Sequence, residues 1–270
     1  MSLFKPVWQS DNLEKARKVF LKKLTDETLL LIAMETKHDE IRQEAVSRIS
    51  STDNIVKATL GEDWAVAKVA VSELGKRDQK TLFDIGISIT KIDFLNKNSK
   101  TNLLFRKYGA LREIISKNIT DQKLLGQFCR ACAEYAGSHG TEFAFLNAIM
   151  RLTDQEGMAL SAARYNCAPQ LNLKDDKGYL LPRLEKHITD TLTDEKYILA
   201  CMVNIFKINW FSTPEILKEK RIYSVLLSNI HTPDTLHSII GLEKNKVNKD
   251  KWKCDEFIKA VNNRLNELSN

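Results

Sequence analysis

The residues that could carry chemistry begin with two cysteines three positions apart, in the segment Cys129-Arg-Ala-Cys132. Such a pair can ligate zinc or exchange disulfides, and His139 follows Cys132 closely. A structural zinc ion needs four ligands, however, and no second Cys-x-x-Cys or histidine pair completes the set. The redox motif normally follows a strand, and none is indicated here. We therefore expect both cysteines to be buried structural thiols on a helix.

Histidines and carboxylates give no stronger signal for catalysis. The histidine at 187 adjoins an apolar stripe and is expected at the surface, and that at 231 begins a turn; all five are His38, His139, His187, His231 and His237. Asp175-Asp176 lies in a glycine-containing loop that could contact a cation, but the alternating oxygen ligands of a calcium loop are absent. No phosphate-binding loop, nucleophile elbow or dinucleotide fingerprint occurs. We therefore expect a protein without catalytic, metal or cofactor-binding residues.

Basic residues support one other class of function, nucleic-acid binding. The chain has 41 basic and 35 acidic residues, and one stretch is richer than the rest: between 91 and 123 lie Lys91, Lys97, Lys100, Arg106, Lys107, Arg112, Lys117 and Lys123, against three acidic residues. A second cluster consists of Lys15, Arg17, Lys18, Lys22 and Lys23. Such charge could displace counterions from phosphates. Lysine outnumbers arginine and no regular aromatic interleaving accompanies it, so solvated helix faces are the simpler interpretation.

Composition indicates helices as the elements that hold these residues. Only 10 glycines and 5 prolines occur in 270 residues, fewer than sheets with many tight turns usually need. Five irregularly spaced cysteines do not form a secreted disulfide framework. We find no signal peptide and no apolar run of about 18 residues. These features favour a cytoplasmic, monomeric protein that does not enter a membrane.

An apolar stripe recurs along the chain. Each copy is a triple of apolar residues four positions apart, as expected for one face of a helix. The seven triples are Ala16/Phe20/Leu24, Ile41/Ala45/Ile49, Val66/Ala70/Leu74, Leu111/Ile115/Ile119, Ala144/Ala148/Leu152, Leu184/Ile188/Leu192 and Ile222/Leu226/Ile230. The first three copies repeat at a constant offset of 25 residues, which includes the neighbouring apolar positions Leu21, Val46 and Val71. The stripe therefore predicts a repeated helical unit.

A Thr-Asp signature follows several of the stripes. Its carboxylates are Asp26, Asp121, Asp154 and Asp194, and Thr232-Pro233-Asp234 follows the last stripe. Threonine and aspartate cap helix N-termini because their oxygens accept from unpaired backbone N–H groups. We interpret these carboxylates as caps rather than as acid–base groups. Each unit is then a helix A, a tight turn and a capped helix B.

Seven such hairpins and a last helix near 252–268 would use almost the whole chain. Because one hairpin cannot bury its apolar face alone, we predict that the units stack into an all-α, right-handed α-α superhelix. Residues 1–90 would form regular repeats, and residues 91–270 longer, divergent repeats of the same continuous solenoid. Phe4, Val7 and Trp8 would cover its exposed end, and polar loops are expected at 91–101, 171–178 and 242–251.

Residues 9–90 resemble the short HEAT-like repeat proteins of bacteria. The segments Glu40-Ile-Arg-Gln-Glu-Ala-Val46 and Ala65-Val-Ala-Lys-Val-Ala-Val71 are similar to that family's first-helix pattern, with Arg42 and Lys68 near its basic position. The family's capping aspartate is matched by Asp26, Asp53 and Asp78. The resemblance implies an armadillo-like α-solenoid. Arrays of this kind serve as scaffolds, and a few act as lyases, hydroxylases or DNA-binding enzymes.

The fold and the resemblance together favour a non-catalytic scaffold that binds a protein partner on the concave surface formed by the B helices. The partner and the residues that contact it are unknown from the sequence. The alternative is a nucleic-acid-binding protein similar to HEAT-like DNA-alkylation repair enzymes, which hold the duplex in a basic groove. The related hydroxylases use repeated His-Glu pairs as iron ligands, whereas this chain has only His38-Asp39.

Overall fold

A computed structural model describes residues 5–95, 102–135, 141–167, 180–208, 226–244 and 251–270. Phe4, His139, Ile222, the Asp175-Asp176 pair and the predicted loop at 171–178 lie outside these residues. Every described element is helical, which confirms the all-α class. The α-helices are α1 (Leu13–Arg17), α2 (Asp26–Glu35), α3 (Asp39–Arg48), α4 (Thr52–Leu60), α5 (Trp64–Arg77), α6 (Gln79–Leu95), α7 (Asn102–Asn118), α8 (Gln122–Glu134), α9 (Thr141–Ile149), α10 (Gln155–Cys167), α11 (Leu180–Thr191), α12 (Glu195–Ile208), α13 (Pro233–Lys244) and α14 (Lys251–Ser269).

Two 3-10 helices, Val7–Gln9 and Lys18–Leu21, complete the amino-terminal part. Helix α14 occupies the predicted position of the last helix. Part of the polar loop expected at 91–101 is helical instead, because Lys91–Leu95 continues α6, and residues 96–101 lie outside the described part of the chain. The break expected at 242–251 overlaps both neighbouring helices, since α13 extends to Lys244 and α14 starts at Lys251, and residues 245–250 are not described.

The apolar stripes form the core of each hairpin. Of the predicted stripe residues whose side chains are described, all are buried except Leu24, which is half-buried. Val46 and Val71 are also fully buried, but Leu21 is 84% exposed. The prediction for Leu21 is therefore wrong. Leu21 lies at the end of the 3-10 helix Lys18–Leu21, where the shift from 3.6 to 3.0 residues per turn changes the face on which a side chain lies.

The chain divides into two compact units. The first comprises residues 1–85 with Asn118–Thr120, and the second comprises residues 86–117 with 121–270. In the first unit α1, α3 and α5 contact one another in that order, and α2 contacts α4. In the second unit α8, α10, α12 and α13 form a row in which each B helix contacts the next.

Two glycines allow the closest contact in that row. A Cβ atom added at Gly126 of α8 would lie 2.8 Å from the Cα of Gly157 in α10, a separation that real Cβ atoms do not show. The reciprocal Cβ atom at Gly157 would lie 3.1 Å from the Cα of Gly126. The backbones of α8 and α10 therefore approach each other directly, as the small residues predicted in the B helices suggested.

Side chains cap the B helices, but in a register that differs from the predicted one. The side chains of Thr25 and Ser51, rather than Asp26 and Asp53, accept from the backbone N–H groups of the first turns of α2 and α4. Asp78, Asp121, Asp154 and Asp194 are caps as predicted. When the repeats are aligned on these six caps, the fourth residue after each is buried: Leu29, Ile55, Leu82, Leu125, Met158 and Ile198. Leu236, four residues after Thr232, is buried as well.

The first residue of most B helices has a separate role, because it reaches the turn of the following repeat. Asp26 accepts from the backbone N–H groups of Ser50 and Ser51, at 2.9 and 2.8 Å. The side-chain oxygens of Gln79, Gln122, Gln155 and Glu195 accept in the same way from the N–H groups of Thr120, Thr153, Thr193/Asp194 and His231/Thr232. We call each such side chain a turn clamp.

The carbonyl groups at the ends of the A helices are satisfied by long side chains from the repeat that follows. Arg77 donates to the carbonyl oxygens of Ser47 and Ile49, and Arg264 donates to those of Ser228 and Ile230. Asn229 donates to the carbonyl oxygens of Thr189 and Leu192. Since helix ends leave backbone groups without intrahelical partners, these bonds link one hairpin to the next.

Candidate interaction surfaces

The amino-terminal part of the first unit contains a groove of about 760 Å³. The 3-10 helix Val7–Gln9 forms one wall, and the opposite wall comes from α1 and the 3-10 helix that follows it. The apolar part of the lining consists of Val7, Trp8, Val19 and Leu24. Val7 is 44% exposed and Trp8 is half-buried, and Phe4 lies outside the described residues, so the end cap stays a prediction. We call this cavity the amino-terminal groove.

Three lysines complete the groove. Lys15, Lys18 and Lys22 line it, and their spacing over a helical segment brings them to one side. All three are exposed, and within the described part of the chain none of their ammonium groups has an ion-pair partner. Nearby charges behave differently, because Arg17 pairs with Glu44 at 3.4 Å and Lys37 pairs with Asp11 at 2.6 Å. The groove therefore combines an apolar lining with uncompensated positive charge.

The indole of Trp8 is held in place at the groove. Its Nε1 donates to Glu35 Oε2 at 3.1 Å, and the side chain of Gln9 donates to the same oxygen at 2.9 Å. Glu35 is the last residue of α2, so the first complete hairpin fixes the aromatic side chain. A positioned indole presents a large apolar surface to a ligand with little loss of side-chain entropy on binding.

A second exposed surface lies on the row of B helices in the second unit. Helix α8 exposes a stripe made of Lys123, Gln127, Arg130 and Glu134, at spacings that place all four side chains on one face. Within the described residues none of these side chains takes part in an ion pair. The buried face of the same helix contains Leu125, Phe128, Cys129 and Cys132. The stripe is available for contacts outside the chain.

The two cysteines of the Cys-x-x-Cys segment are fully buried in α8, as predicted. Burial raises the pKa of the Cys132 thiol to about 12, although Arg112 nearby opposes the shift. Burial also raises the pKa of Cys129 well above its ordinary value, and its Sγ lies 3.9 Å from the carbonyl oxygen of Phe145. Because the thiolate is the nucleophile and the metal ligand, these neutral thiols are poorly suited to either role.

The described residues bring together no group of three or more His, Cys, Asp or Glu side chains that could hold a metal ion. Two of the described histidines contact backbone carbonyl groups. His38 Nε2 lies 2.9 Å from the carbonyl oxygen of Ser10, and His187 Nε2 lies 2.9 Å from that of Ile149. His187 is therefore half-buried and closes the end of α9, rather than lying loosely at the surface.

The basic stretch between 91 and 123 does not form one basic surface. Arg112 is fully buried, and its guanidinium donates to the carbonyl oxygen of Ile89 at 3.3 Å. Lys117 pairs with Glu113 at 2.7 Å. Lys97 and Lys100 lie outside the described residues. Lys91 and Lys123 are exposed. Of the five cations in this stretch whose side chains the structure describes (Lys91, Lys107, Arg112, Lys117 and Lys123), Arg112 and Lys117 thus have a role within the fold.

The carboxylates of the turn clamps have lowered pKa values. The backbone hydrogen bonds from Ser50 and Ser51 lower the pKa of Asp26. For Glu195, partial burial raises the pKa, but the hydrogen bonds from Thr232, Thr235 and the N–H of His231 together outweigh that effect and the pKa is lowered. These shifts come from structural hydrogen bonds, so they do not indicate an acid–base site.

Sequence reasoning found the lysines of the amino-terminal groove but not the groove. Val7 and Trp8 were assigned to an end cap, because apolar residues before a first repeat usually cover it. Acidic residues stand four positions from each of the three lysines, at Asp11, Glu14 and Asp26, so the sequence did not mark these lysines as unpaired. Only the structure shows that Asp11 pairs with Lys37 and that Asp26 accepts from the turn of Ser50 and Ser51.

No described helix has the length and apolar character needed to cross a membrane. Comparison of the chain with protein-family models, with curated proteins and with solved structures gave no match.

Proposed function

We propose that this chain is a HEAT-like α-solenoid that acts as a non-catalytic scaffold and binds a protein partner along its B helices. The observation that carries the proposal is the row of α8, α10, α12 and α13, in which each helix contacts the next and the turn clamps fix the register between repeats. A row of this kind offers a continuous, rigid surface with exposed polar side chains, which suits a large partner better than a small substrate.

The stripe on α8 is the part of this surface that we expect the partner to contact. Its four side chains carry two positive charges and one negative charge and make no ion pair within the described residues. An arginine that has no internal partner and lies beside a glutamine can form several hydrogen bonds with carboxylate or carbonyl groups of another protein. Arg130 is therefore the residue we expect to contribute most.

Nucleic-acid binding is the alternative function and has less support. The buried guanidinium of Arg112 and the Lys117–Glu113 pair remove cations from the stretch that was its main basis. On α8, Lys123 and Arg130 share the exposed face with Glu134, whose carboxylate would repel phosphates.

The test is capture of partners from the native lysate by the tagged protein, with and without nuclease, followed by mass spectrometry. Arg130→Glu is compared with the matched control Arg183→Glu, which makes the same charge change at an exposed arginine of α11. A protein that is retained after nuclease treatment, lost with Arg130→Glu and kept with Arg183→Glu supports the scaffold. Capture that disappears with nuclease would instead support nucleic-acid binding.

A further inference from the structure

We propose that the amino-terminal groove is a second binding site, and that it accepts a short acidic protein segment that carries at least one bulky apolar side chain. This groove and the surface on the B helices consist of different residues, so an experiment can disprove either binding site without affecting the other. It rests on the shape of the groove, the chemistry of its lining and the imbalance of charge around it.

The charge imbalance is local. Residues 5–24 include six basic and two acidic side chains, whereas the whole chain has 41 and 35. One of the acidic residues, Asp11, is paired with Lys37, and one of the basic residues, Arg17, is paired with Glu44. The three lysines that line the groove are not paired within the described residues. A ligand with carboxylates would supply the missing charge, which favours and accelerates association.

The apolar lining determines what else the ligand must contain. Val7, Trp8, Val19 and Leu24 supply the apolar side chains of the lining. The hydrogen bond from the Nε1 of Trp8 to the side chain of Glu35 holds the indole in place. A purely ionic ligand would leave this surface in contact with water, whereas a leucine or phenylalanine side chain would cover it.

The dimensions suit an extended peptide. Lys15 and Lys22 are separated by seven positions on a helical segment, which corresponds to roughly 10–14 Å. An extended chain advances about 3.3 Å per residue, so three to five residues would span the lysines. Alternate side chains of such a peptide lie on opposite sides, so carboxylates could meet the lysines while an intervening apolar side chain enters the groove.

A phosphodiester backbone fits the same groove less well. Glu14 lines the cavity beside the lysines, and Glu35 lies directly behind the indole. A nucleic acid would bring a phosphate every few ångströms along its length and would meet both carboxylates. A peptide can place neutral residues opposite them.

The test uses the full chain and a fluorescein-labelled heptapeptide, Glu-Asp-Leu-Glu-Phe-Asp-Glu, with binding measured by fluorescence anisotropy. Two control peptides isolate the two features of the ligand: in one, serine replaces leucine and phenylalanine, and in the other, the corresponding amides replace all carboxylates. We expect the parent peptide to bind best, and its affinity to fall as salt is added.

The variant with Lys15→Glu, Lys18→Glu and Lys22→Glu should bind the parent peptide about tenfold or more weakly, because three exposed charge contacts become repulsive. The matched control carries Lys57→Glu, Lys68→Glu and Lys259→Glu, three exposed lysines outside the groove and outside the stripe on α8, and should bind as the wild type does. Trp8→Ala should weaken binding of the parent peptide but leave binding of the serine peptide unchanged. Thermal unfolding of every variant checks that the fold is retained.

Several results would overturn the proposal. Wild-type protein that shows no preference for the parent peptide over both controls has no such site. Equal losses in the groove variant and the matched control would mean that only overall charge matters. A labelled DNA duplex that binds more tightly than the peptide and depends on the same three lysines would identify nucleic acid as the ligand. Self-association in analytical ultracentrifugation that disappears with the groove variant would identify a second copy of this chain.

Discussion

Two kinds of turn connect the helical hairpins, and they satisfy the same backbone groups in different ways. At the turns of Ser50/Ser51 and His231/Thr232 the clamp is a carboxylate, Asp26 or Glu195. At the turns of Thr120 and Thr153 it is a glutamine, Gln79 or Gln122. A carboxylate can only accept, whereas a glutamine also donates.

The difference affects how the carbonyl oxygens of each turn are satisfied. The amide groups of Gln79 and Gln122 donate to the carbonyl oxygens of Asn118 and Arg151, at 3.0 and 3.4 Å, so one side chain bonds both N–H and carbonyl groups of the backbone. At the turns with carboxylate clamps the donor is an arginine of the next repeat, Arg77 or Arg264. An arginine is present at one turn with a glutamine clamp as well, since Arg151 donates to the carbonyl oxygen of Ser116. A glutamine clamp therefore adds a neutral donor that a carboxylate cannot supply.

The largest loss of stability should follow from a charge placed in the buried stripe, which precedes both kinds of turn. Ala45 precedes a turn with a carboxylate clamp and Ala148 precedes a turn with a glutamine clamp, and both are fully buried. We expect Ala45→Asp and Ala148→Asp each to reduce the free energy of unfolding by about 3–5 kcal/mol, because a charge without a partner would be buried. Thermal unfolding followed by circular dichroism measures this.

If either variant unfolds at the wild-type temperature, the stripe in that region is not a packing surface, and the two regions differ in their cores as well as in their turns. Ala45→Gly is the control, since it removes one methyl group without introducing a charge and should cost about 1–2 kcal/mol.

Removal of a turn clamp should cause the next largest loss of stability. Glu195 accepts from two backbone N–H groups and from the hydroxyl groups of Thr232 and Thr235. We expect Glu195→Ala to cost about 1–2 kcal/mol, because the donors are partly exposed and water replaces some of the lost bonds. Glu195→Gln should cost less than about 0.5 kcal/mol, since its oxygen can accept both N–H groups and the hydroxyl groups can rotate to accept.

A Glu195→Gln variant as unstable as Glu195→Ala would show that the negative charge itself is required, and that the two kinds of turn are not interchangeable. The same pair of substitutions at Gln155, to alanine and to glutamate, gives the converse measurement in a turn with a glutamine clamp.

Much of this architecture could be predicted from the sequence, and the part that could not has a physical reason. The stripes predicted the buried residues of the A helices correctly, because apolar periodicity reports burial directly. The Thr-Asp signature was placed one residue late at Asp26, since threonine and aspartate are both good caps and only the geometry shows that Thr25 is the cap.

The turn clamps and the groove were missed for a related reason. Both depend on contacts between residues that are far apart in the chain, as in the case of Asp26 with Ser51 or Trp8 with Glu35. Helical periodicity is a local signal and contains no information on such pairs. Directly after five of the caps stands an aspartate, a glutamate or a glutamine: Asp26, Gln79, Gln122, Gln155 and Glu195. These residues were the visible sign of the clamps, and alignment of the repeats on their caps would have shown it.

Acid should distinguish the two kinds of turn. Since the pKa values of Asp26 and Glu195 are lowered in the folded state, their contribution to stability is complete above the unfolded-state values of about 4 and is lost as the pH falls through the folded-state values. Glutamine clamps do not titrate. We therefore expect Glu195→Gln to lose less stability than the wild type when the pH is lowered from neutral to below about 4.

Asp26→Asn is the matched variant for that experiment. Each oxygen of Asp26 accepts from a different backbone N–H, so an amide group in place of one oxygen would oppose a donor that cannot rotate. Asp26→Asn should be less stable than the wild type at neutral pH, and the difference should shrink in acid, where Asp26 is protonated. The N–H and the hydroxyl of Thr81 lower the pKa of Asp78. Because Asp78 is present in both variants, each should still lose some stability in acid. If the free energy of unfolding changes with pH in the same way for the wild type and for Glu195→Gln, the Glu195 carboxylate does not contribute to stability as proposed.

The smallest expected effect concerns the repeat in which the structure places no clamp. Thr52 is the first residue of α4, the position that holds Asp26 or a glutamine in other repeats, yet among the described residues it accepts no hydrogen bond from a turn. The reason lies in the turn that it would reach: a single residue, Asp78, connects α5 and α6, and its backbone N–H already donates to the carbonyl oxygen of Leu74 at 2.7 Å.

Because that turn offers no unused N–H group, Thr52→Gln should change the free energy of unfolding by less than about 0.5 kcal/mol, as an ordinary exposed substitution does. Gln122, by contrast, accepts hydrogen bonds from the backbone N–H and the hydroxyl of Thr153. Gln122→Thr should therefore reduce the free energy of unfolding by about 1 kcal/mol. Urea unfolding of the two variants measures both changes. A clear gain from Thr52→Gln would show that glutamine at this position stabilises the helix start itself, and that the clamp is not what distinguishes one repeat from another.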